Sequence, residues 1–330
     1  MKILKKEDIK KCITMSEAIE VCKTAMINYT LNNSDIPLRT SIKSTKNNGQ
    51  ILFMPGKIST DTDNIGIKIV SVYPNNIKKN LPSVPSTIVT LDETTGIVNG
   101  LLDGTYLTAL RTAALQGAAT DLLAKKDSTI ATLIGTGGQA IEQALALISV
   151  RKLKELRVVA RNFINTQNFV EHLKEQSIYS DIDIIPCKNV NDAIKNSDII
   201  TTVTTSKTPT FSTKYLKPGA HINGIGSFTH EMIELPPELI NKHNKIYFDT
   251  NNGVLNEAGD ILYPLEKGLV SKDDFKGELG ELLLELIIGR ENNDEFTIFK
   301  SVGTAALDIA CADYIIKKAN KMKIGTVIDL

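Results

Sequence analysis

Apolar residues at Ala18, Ile19, Val21, Cys22, Ala25, Met26 and Tyr29 recur at helical spacing. Residues 15–31 therefore predict an amphipathic helix, with Ser16 ahead of Glu17 as its N-cap. From residue 36 to 102 the period shortens. Runs rich in β-branched side chains at 51–54, 65–72, 87–91 and 97–101, separated by Gly, Pro, Asn and Asp, predict strands. With no helix between them they predict an antiparallel or mixed sheet that closes on itself. Residues 106–125, with six alanines, predict one long helix.

Beyond that helix the pattern alternates. Strands are predicted at 128–134, 156–159, 182–185, 199–204, 221–225 and 245–248, with helices at 141–149, 163–176 and 190–196. Parallel strands need crossover connections, so this alternation predicts a doubly wound parallel α/β sheet of Rossmann type. Residues 282–288 read as a core helix, and 307–319 as a last amphipathic helix. No strand follows that helix to join the parallel sheet, so it is expected to fold back on the first domain.

The length of 330 residues suggests two domains. Lys plus Arg and Asp plus Glu both total 38, which argues against a nucleic-acid partner, since such proteins usually carry a basic excess. Hydrophobic residues make up 42%, enough for a sizeable core, and no apolar run reaches membrane-spanning length. The opening Met1-Lys-Ile-Leu-Lys-Lys lacks the apolar stretch of a signal peptide. Cys12, Cys22, Cys187 and Cys311 are scattered without CxxC spacing, and the four histidines lack ligand spacing too. The expectation is a cytoplasmic protein with reduced thiols and no metal site.

The most informative motif is Gly135-x-Gly137-x-x-Ala140, at the end of a buried strand and the start of a helix. This is the context a dinucleotide fingerprint requires. Gly135 permits the tight turn, and Gly137 lets the backbone approach the pyrophosphate. Ala140 keeps the helix close to the strand, and the helix's N-terminal N–H groups face the phosphates. The second strand of the series ends in Val158-Val-Ala-Arg161-Asn162, without the carboxylate that favours NAD. A guanidinium at Arg161 suits a 2′-phosphate, so NADPH is the expected cofactor, with NADH the alternative.

Further segments complete a resemblance across essentially the whole chain. They are Ile65-Gly-Ile-Lys-Ile-Val70 with Tyr73-Pro74-Asn75, Leu107-Thr-Ala-Leu-Arg-Thr-Ala-Ala114, and Ile222-Asn-Gly-Ile-Gly-Ser227. Gly277-Glu-Leu-Gly280 and Phe299-Lys-Ser-Val-Gly303 add to them. Together with the fingerprint they resemble the ornithine cyclodeaminase/mu-crystallin family. The resemblance implies a substrate-binding and dimerisation α+β domain at 1–118 with 306–330, a Rossmann domain at 119–305, and a homodimer. It also implies that Arg39, Lys68 and Arg111 surround the α-carboxylate of an amino or imino acid, with Val302 beside it. Ser83, Arg111, Gly138, Gln139, Thr204 and Ser301 resemble cofactor contacts. The residues themselves agree: a lone lysine inside an apolar strand pattern is costly to bury without a partner.

Departures from the family pattern bear on the reaction. Ornithine cyclodeaminases carry an aspartate just after the small pair matching Gly226-Ser227, where this chain has Phe228. A second family carboxylate corresponds to Leu52. Without them the δ-ammonium of ornithine would lie unpaired in an apolar pocket, at a cost of several kcal/mol. Gly-Ser-Phe-Thr looks more like the imino-acid reductase members, which reduce Δ1-pyrroline-2-carboxylate or Δ1-piperideine-2-carboxylate with NAD(P)H. Lys68 is then one candidate proton donor to the imine nitrogen, directly or through a water that Thr229 or Ser227 could position, and the sequence does not choose among them. His230 reads as a surface histidine, and Asp249 as a turn residue. The alternatives are ornithine cyclodeaminase with catalytic NAD, an alanine-oxidising or N-substituted amino-acid-forming enzyme, and a ligand-binding protein of mu-crystallin type.

Overall fold

In the computed structural model, which describes residues 1–329, the chain opens with β1 (Lys2–Leu4), α1 (Lys6–Cys12) and α2 (Met15–Thr30). The N-cap of α2 is Thr14, not Ser16: its hydroxyl takes the Glu17 N–H, and the Glu17 carboxylate returns to the Thr14 N–H at 2.8 Å. This capping box satisfies two otherwise orphaned donors, which Ser16, already inside the helix, could not do. Short β2 (Ser34–Asp35) and β3 (Thr40–Ser44) lead into β4 (Gly49–Ser59) and β5 (Asp63–Val72). Then follow β6 (Ser86–Leu91), β7 (Val98–Asp103) and α3 (Gly104–Leu123), whose first turn is held where Asp103 accepts the Tyr106 N–H at 2.9 Å.

The alternating part of the chain comes next. It runs β8 (Ile130–Ile134), α4 (Ala140–Val150), β9 (Glu155–Val159), α5 (Phe163–Lys174), β10 (Asp183–Cys187), α6 (Val190–Ile194), β11 (Ile199–Thr202) and β12 (His221–Gly224). It continues through β13 (Lys245–Phe248), α7 (Asn251–Glu257), α8 (Gly259–Glu266), β14 (Gly277–Glu278), α9 (Leu279–Leu283) and β15 (Thr297–Lys300). The chain closes with α10 (Ala305–Met322) and β16 (Thr326–Val327).

These elements form two compact units, Met1–Ala114 with Thr304–Leu330 and Leu115–Gly303. The first is built on a mixed sheet of order β16-β1-β7-β6-β5-β4-β2, with β3 also pairing β4. The expected closure on itself does not occur: among the described residues β16 and β2 remain opposite ends of an open sheet. α10 packs instead across β4, β5 and β6 and beside α2. β4 and β5 alternate buried and half-buried positions, and Gly56 pairs with Gly66 across them. A Cβ on Gly56 would come within 3.1 Å of Ile309. The two glycines therefore let α10 approach the sheet closely, as its amphipathic pattern predicts.

The second unit is a parallel sheet of order β10-β9-β8-β11-β12-β15-β13-β14, as the alternation predicts. Aliphatic side chains on its two faces make two separate cores. Chain order reverses between β8 and β11, and in such sheets ligands bind beyond the carboxyl ends of the strands at that switch point. Residues 282–288 are not a core helix. α9 ends at Leu283, Glu285 adopts φ +57°, and Leu286 and Ile288 are exposed. The carboxylates at Glu281 and Glu285 break the apolar face that a core helix would need. Among the described residues no helix is long and apolar enough to cross a membrane.

Candidate functional site

In the first unit, Lys68 lies on the buried face of β5, and its ammonium meets Asp308 Oδ2 at 2.6 Å. Arg111, on α3, donates from Nε to Asp308 Oδ1 at 2.8 Å. Asp308 stands on the first turn of α10, beside the Ile309 that seats the helix over Gly56 and Gly66. One fully buried carboxylate thus spans two buried cations. The Arg39 charge also reaches Lys68. Burial, then Arg111, pushes the Lys68 ammonium down to about 7 against the opposing pull of Asp308. Arg111 Nη1 is buried and has no hydrogen-bond partner among the described residues, and Thr108 Oγ1, one turn earlier on α3, is in the same condition. Such orphaned polar atoms are uncommon and call for an explanation. Two buried cations on one acid, with the Arg111 donor unused, suit an incoming carboxylate.

Of the three cations expected at the substrate carboxylate, Lys68 and Arg111 are brought together on Asp308, and half-buried Arg39 acts on Lys68 through its charge. Asp308 was not foreseen; a single acid in the Ala-rich stretch Ala305-Ala-Leu-Asp-Ile-Ala-Cys311 was its only signal. Leu52 is buried on β4. Ser83, also in the first unit, is half-buried, and its carbonyl takes the Tyr73 N–H at 2.8 Å.

The second unit carries the fingerprint. Gly135 adopts φ +114°, and a Cβ there would lie 2.6 Å from the Val203 carbonyl oxygen, so the turn after β8 requires glycine. At Gly137 and Gly138 a Cβ would meet nothing within 4 Å, leaving the backbone open to a pyrophosphate. Gln139 stands at the N-terminus of α4 with its buried Oε1 unpartnered. The residues present fit a dinucleotide. Arg161 is exposed just beyond β9, and Asn162 caps α5 by accepting the Ile164 and Asn165 N–H groups at 3.0 and 3.4 Å.

The ends of β11, β12 and β15 hold the other predicted residues. The Thr204 N–H donates to Glu234 Oε1 at 2.6 Å. Ser301 Oγ donates to buried Asp249 Oδ2 at 2.7 Å, which also takes the N–H groups of Val302 and Gly303. Asp249 thus fixes the chain after β15. Phe228 and Thr229 are half-buried in the loop after β12, and the Thr229 carbonyl accepts from Met232 and Gly259. Ser227 Oγ donates to the Met232 carbonyl at 2.6 Å. His230 is exposed and paired with Glu266, as expected of a surface histidine.

A family model described as ornithine cyclodeaminase/mu-crystallin family matches residues 1–323. A Delta(1)-pyrroline-2-carboxylate reductase of Bacillus cereus is 33% identical over 334 residues, covering 100% of both chains. Thermococcus litoralis Delta(1)-pyrroline-2-carboxylate reductase, solved in complex with NADH and L-proline, superposes with a TM-score of 0.94 at 37% identity. That match covers 99% of this chain and 100% of the other. An archaeal alanine dehydrogenase dimer with bound NAD gives a TM-score of 0.91 at 29% identity, over 100% of this chain and 99% of the other.

Proposed function

The chain belongs to the ornithine cyclodeaminase/mu-crystallin family, and we propose that it is an NAD(P)H-dependent reductase converting Δ1-pyrroline-2-carboxylate, or its six-membered homologue, to the cyclic amino acid. The observation that carries this reading is the buried cation cluster, with Arg111 Nη1 unpartnered beside Lys68. Arg39, Lys68 and Arg111 bind the substrate carboxylate and fix the α-carbon to which it is attached. When bound, the dinucleotide supplies the hydride that adds at that carbon. Gly135, Gly137, Gly138 and Gln139 would hold its pyrophosphate, with Thr204, Ser301 and Ser83 as further candidate contacts. Arg161 and Asn162 would serve its ribose.

Hydride addition requires a protonated imine nitrogen, and Lys68 supplies that proton. An ammonium held near 7 is an efficient donor at neutral pH. Thr229 is the second candidate for handling the proton, and Val302 is a candidate neighbour of the substrate by the family pattern. Phe228 and Leu52 place no carboxylate where a second substrate ammonium would need one, which favours the imine over ornithine. Exposed Leu38 and Ile42, at and before β3, support a homodimer formed through the first unit, which light scattering would check.

The deciding experiment follows NADPH and NADH oxidation with Δ1-pyrroline-2-carboxylate, beside L-ornithine with catalytic NAD. Imine-dependent oxidation with proline formed, and no ammonia from ornithine, is the expected result. Ammonia and proline from ornithine, with little imine reduction, would instead make it a cyclodeaminase.

A further inference from the structure

A buried ionic chain in the second unit ties together strand ends and takes no part in the chemistry above. Glu234 is fully buried in the loop after β12. Its Oε1 takes the Thr204 N–H at 2.6 Å and its Oε2 the Ser227 N–H at 2.7 Å, so each oxygen secures a different loop. The loops are in close contact: a Cβ on Gly226 would lie 2.2 Å from the Thr204 carbonyl oxygen and 2.7 Å from Glu234 Oε1. Glu234 is itself anchored. Asp260 Oδ1 accepts its N–H at 2.7 Å and that of Leu235 at 3.0 Å. Asp260 Oδ2 meets Lys300 Nζ at 2.9 Å, and Lys300 donates to the Gly224 carbonyl at the end of β12 at 3.1 Å.

Lys300 pairs with Asp260 here, and burial followed by the Asp260 charge pushes the Glu234 carboxyl up. So costly an arrangement is unnecessary for holding one loop. A carboxylate is nevertheless the side chain suited to this place, because it is acceptor-only and two N–H groups converge on it. A glutamine offers one acceptor and turns an NH2 toward the other amide.

We propose that Glu234 is a positioning residue for the dinucleotide: through the Thr204 and Ser227 amides it sets the backbone at the carboxyl ends of β11 and β12, where the cofactor lies. The proposal rests on the dinucleotide reading given above. Asp198 provides a matched control at the amino edge of the same sheet. It is buried, accepts the Thr129 and Ile130 N–H groups at 2.9 and 3.1 Å, and pairs with Lys217 at 2.6 Å.

The test compares Glu234→Gln with Asp198→Asn in the full chain, measuring NADH affinity by nicotinamide fluorescence, KM for the imine, and the melting temperature. Glu234→Gln is expected to weaken NADH binding about tenfold or more while KM for the imine moves less than about threefold. Asp198→Asn is expected to lower the melting temperature comparably yet keep NADH affinity within about twofold. Equal NADH losses in the two variants, or none in Glu234→Gln, would overturn the proposal. Glu234→Asp, which keeps the charge but shortens the reach, is read the same way if the glutamine variant does not fold. Amide exchange in the wild type adds an independent reading: protected hydrogens at 204 and 227 support the staple, and freely exchanging ones in a protein that binds NADH overturn it alone. A wild type that binds neither NADH nor NADPH removes the dinucleotide reading itself.

Discussion

Lys68 and Lys300 are both buried, and each faces an aspartate, at 2.6 and 2.9 Å. Their surroundings differ in the sign of what is left over. Around Lys68 the cations outnumber the acid, and the strain falls on the lysine, whose ammonium is driven down to about 7. Around Lys300 the acids outnumber the cation, and the strain falls on the Glu234 carboxyl, which is driven up. The first cluster also retains an unused donor in Arg111 Nη1, whereas both Glu234 oxygens are occupied by backbone amides. Burying charge is therefore no mark of function by itself. A surplus of cations with an open donor receives a ligand; a cluster whose acids are taken up by its own amides and ammonium holds the frame.

The largest test of that contrast exchanges the two lysines for methionine. Lys68→Met should lower kcat/KM for the imine by about 10³-fold with the fold intact, as Arg111 still neutralises Asp308. Lys300→Met leaves Asp260 and Glu234 buried together and should cost about 3–5 kcal/mol in denaturant unfolding. Reversed outcomes would break the comparison. Next in size, Asp308→Asn removes the acid that supports the Lys68 charge. The alkaline limb of the kcat/KM profile should move to lower pH, with activity at neutral pH falling about tenfold or more.

The wild-type profile sharpens the same point without a mutation. Protonated Lys68 both binds the carboxylate and donates, so kcat/KM should be flat below about 7 and fall tenfold per unit above it. A bound carboxylate favours the ammonium, so the corresponding limb in kcat should lie at higher pH. A profile that rises through 7 would assign Lys68 the role of a base. The smallest effect belongs to half-buried Arg39: Arg39→Ala should raise KM for the imine about tenfold, with a lesser change in kcat.

Much of this is legible in the sequence where the physics is local. The strand–turn–helix at Gly135 announces itself because only glycine tolerates φ +114° against Val203. Lys68 stands out as a charge on the buried face of a strand whose other side chains alternate regularly. Asp308 does not stand out, because its partners lie about 200 and 240 positions earlier and a helix accommodates a polar residue without breaking its period. β15 is equally silent: four buried residues are too few to establish a strand period. The departure at 282–288 has the opposite origin. There an apolar run suggests burial, but its acids and the left-handed Glu285 turn the chain outward.

The place of α10 has a consequence for the making of the protein. Lys68 and Arg111 leave the ribosome long before the aspartate that balances them. At about 5–20 residues per second, Asp308 follows Lys68 by roughly 12–48 s. Throughout that interval β4 and β5 have no helix over Gly56 and Gly66, and their buried-face side chains are uncovered while the whole parallel sheet is synthesised. The first unit therefore completes its core only after the parallel sheet has been made, and α10 is the last helix to join it.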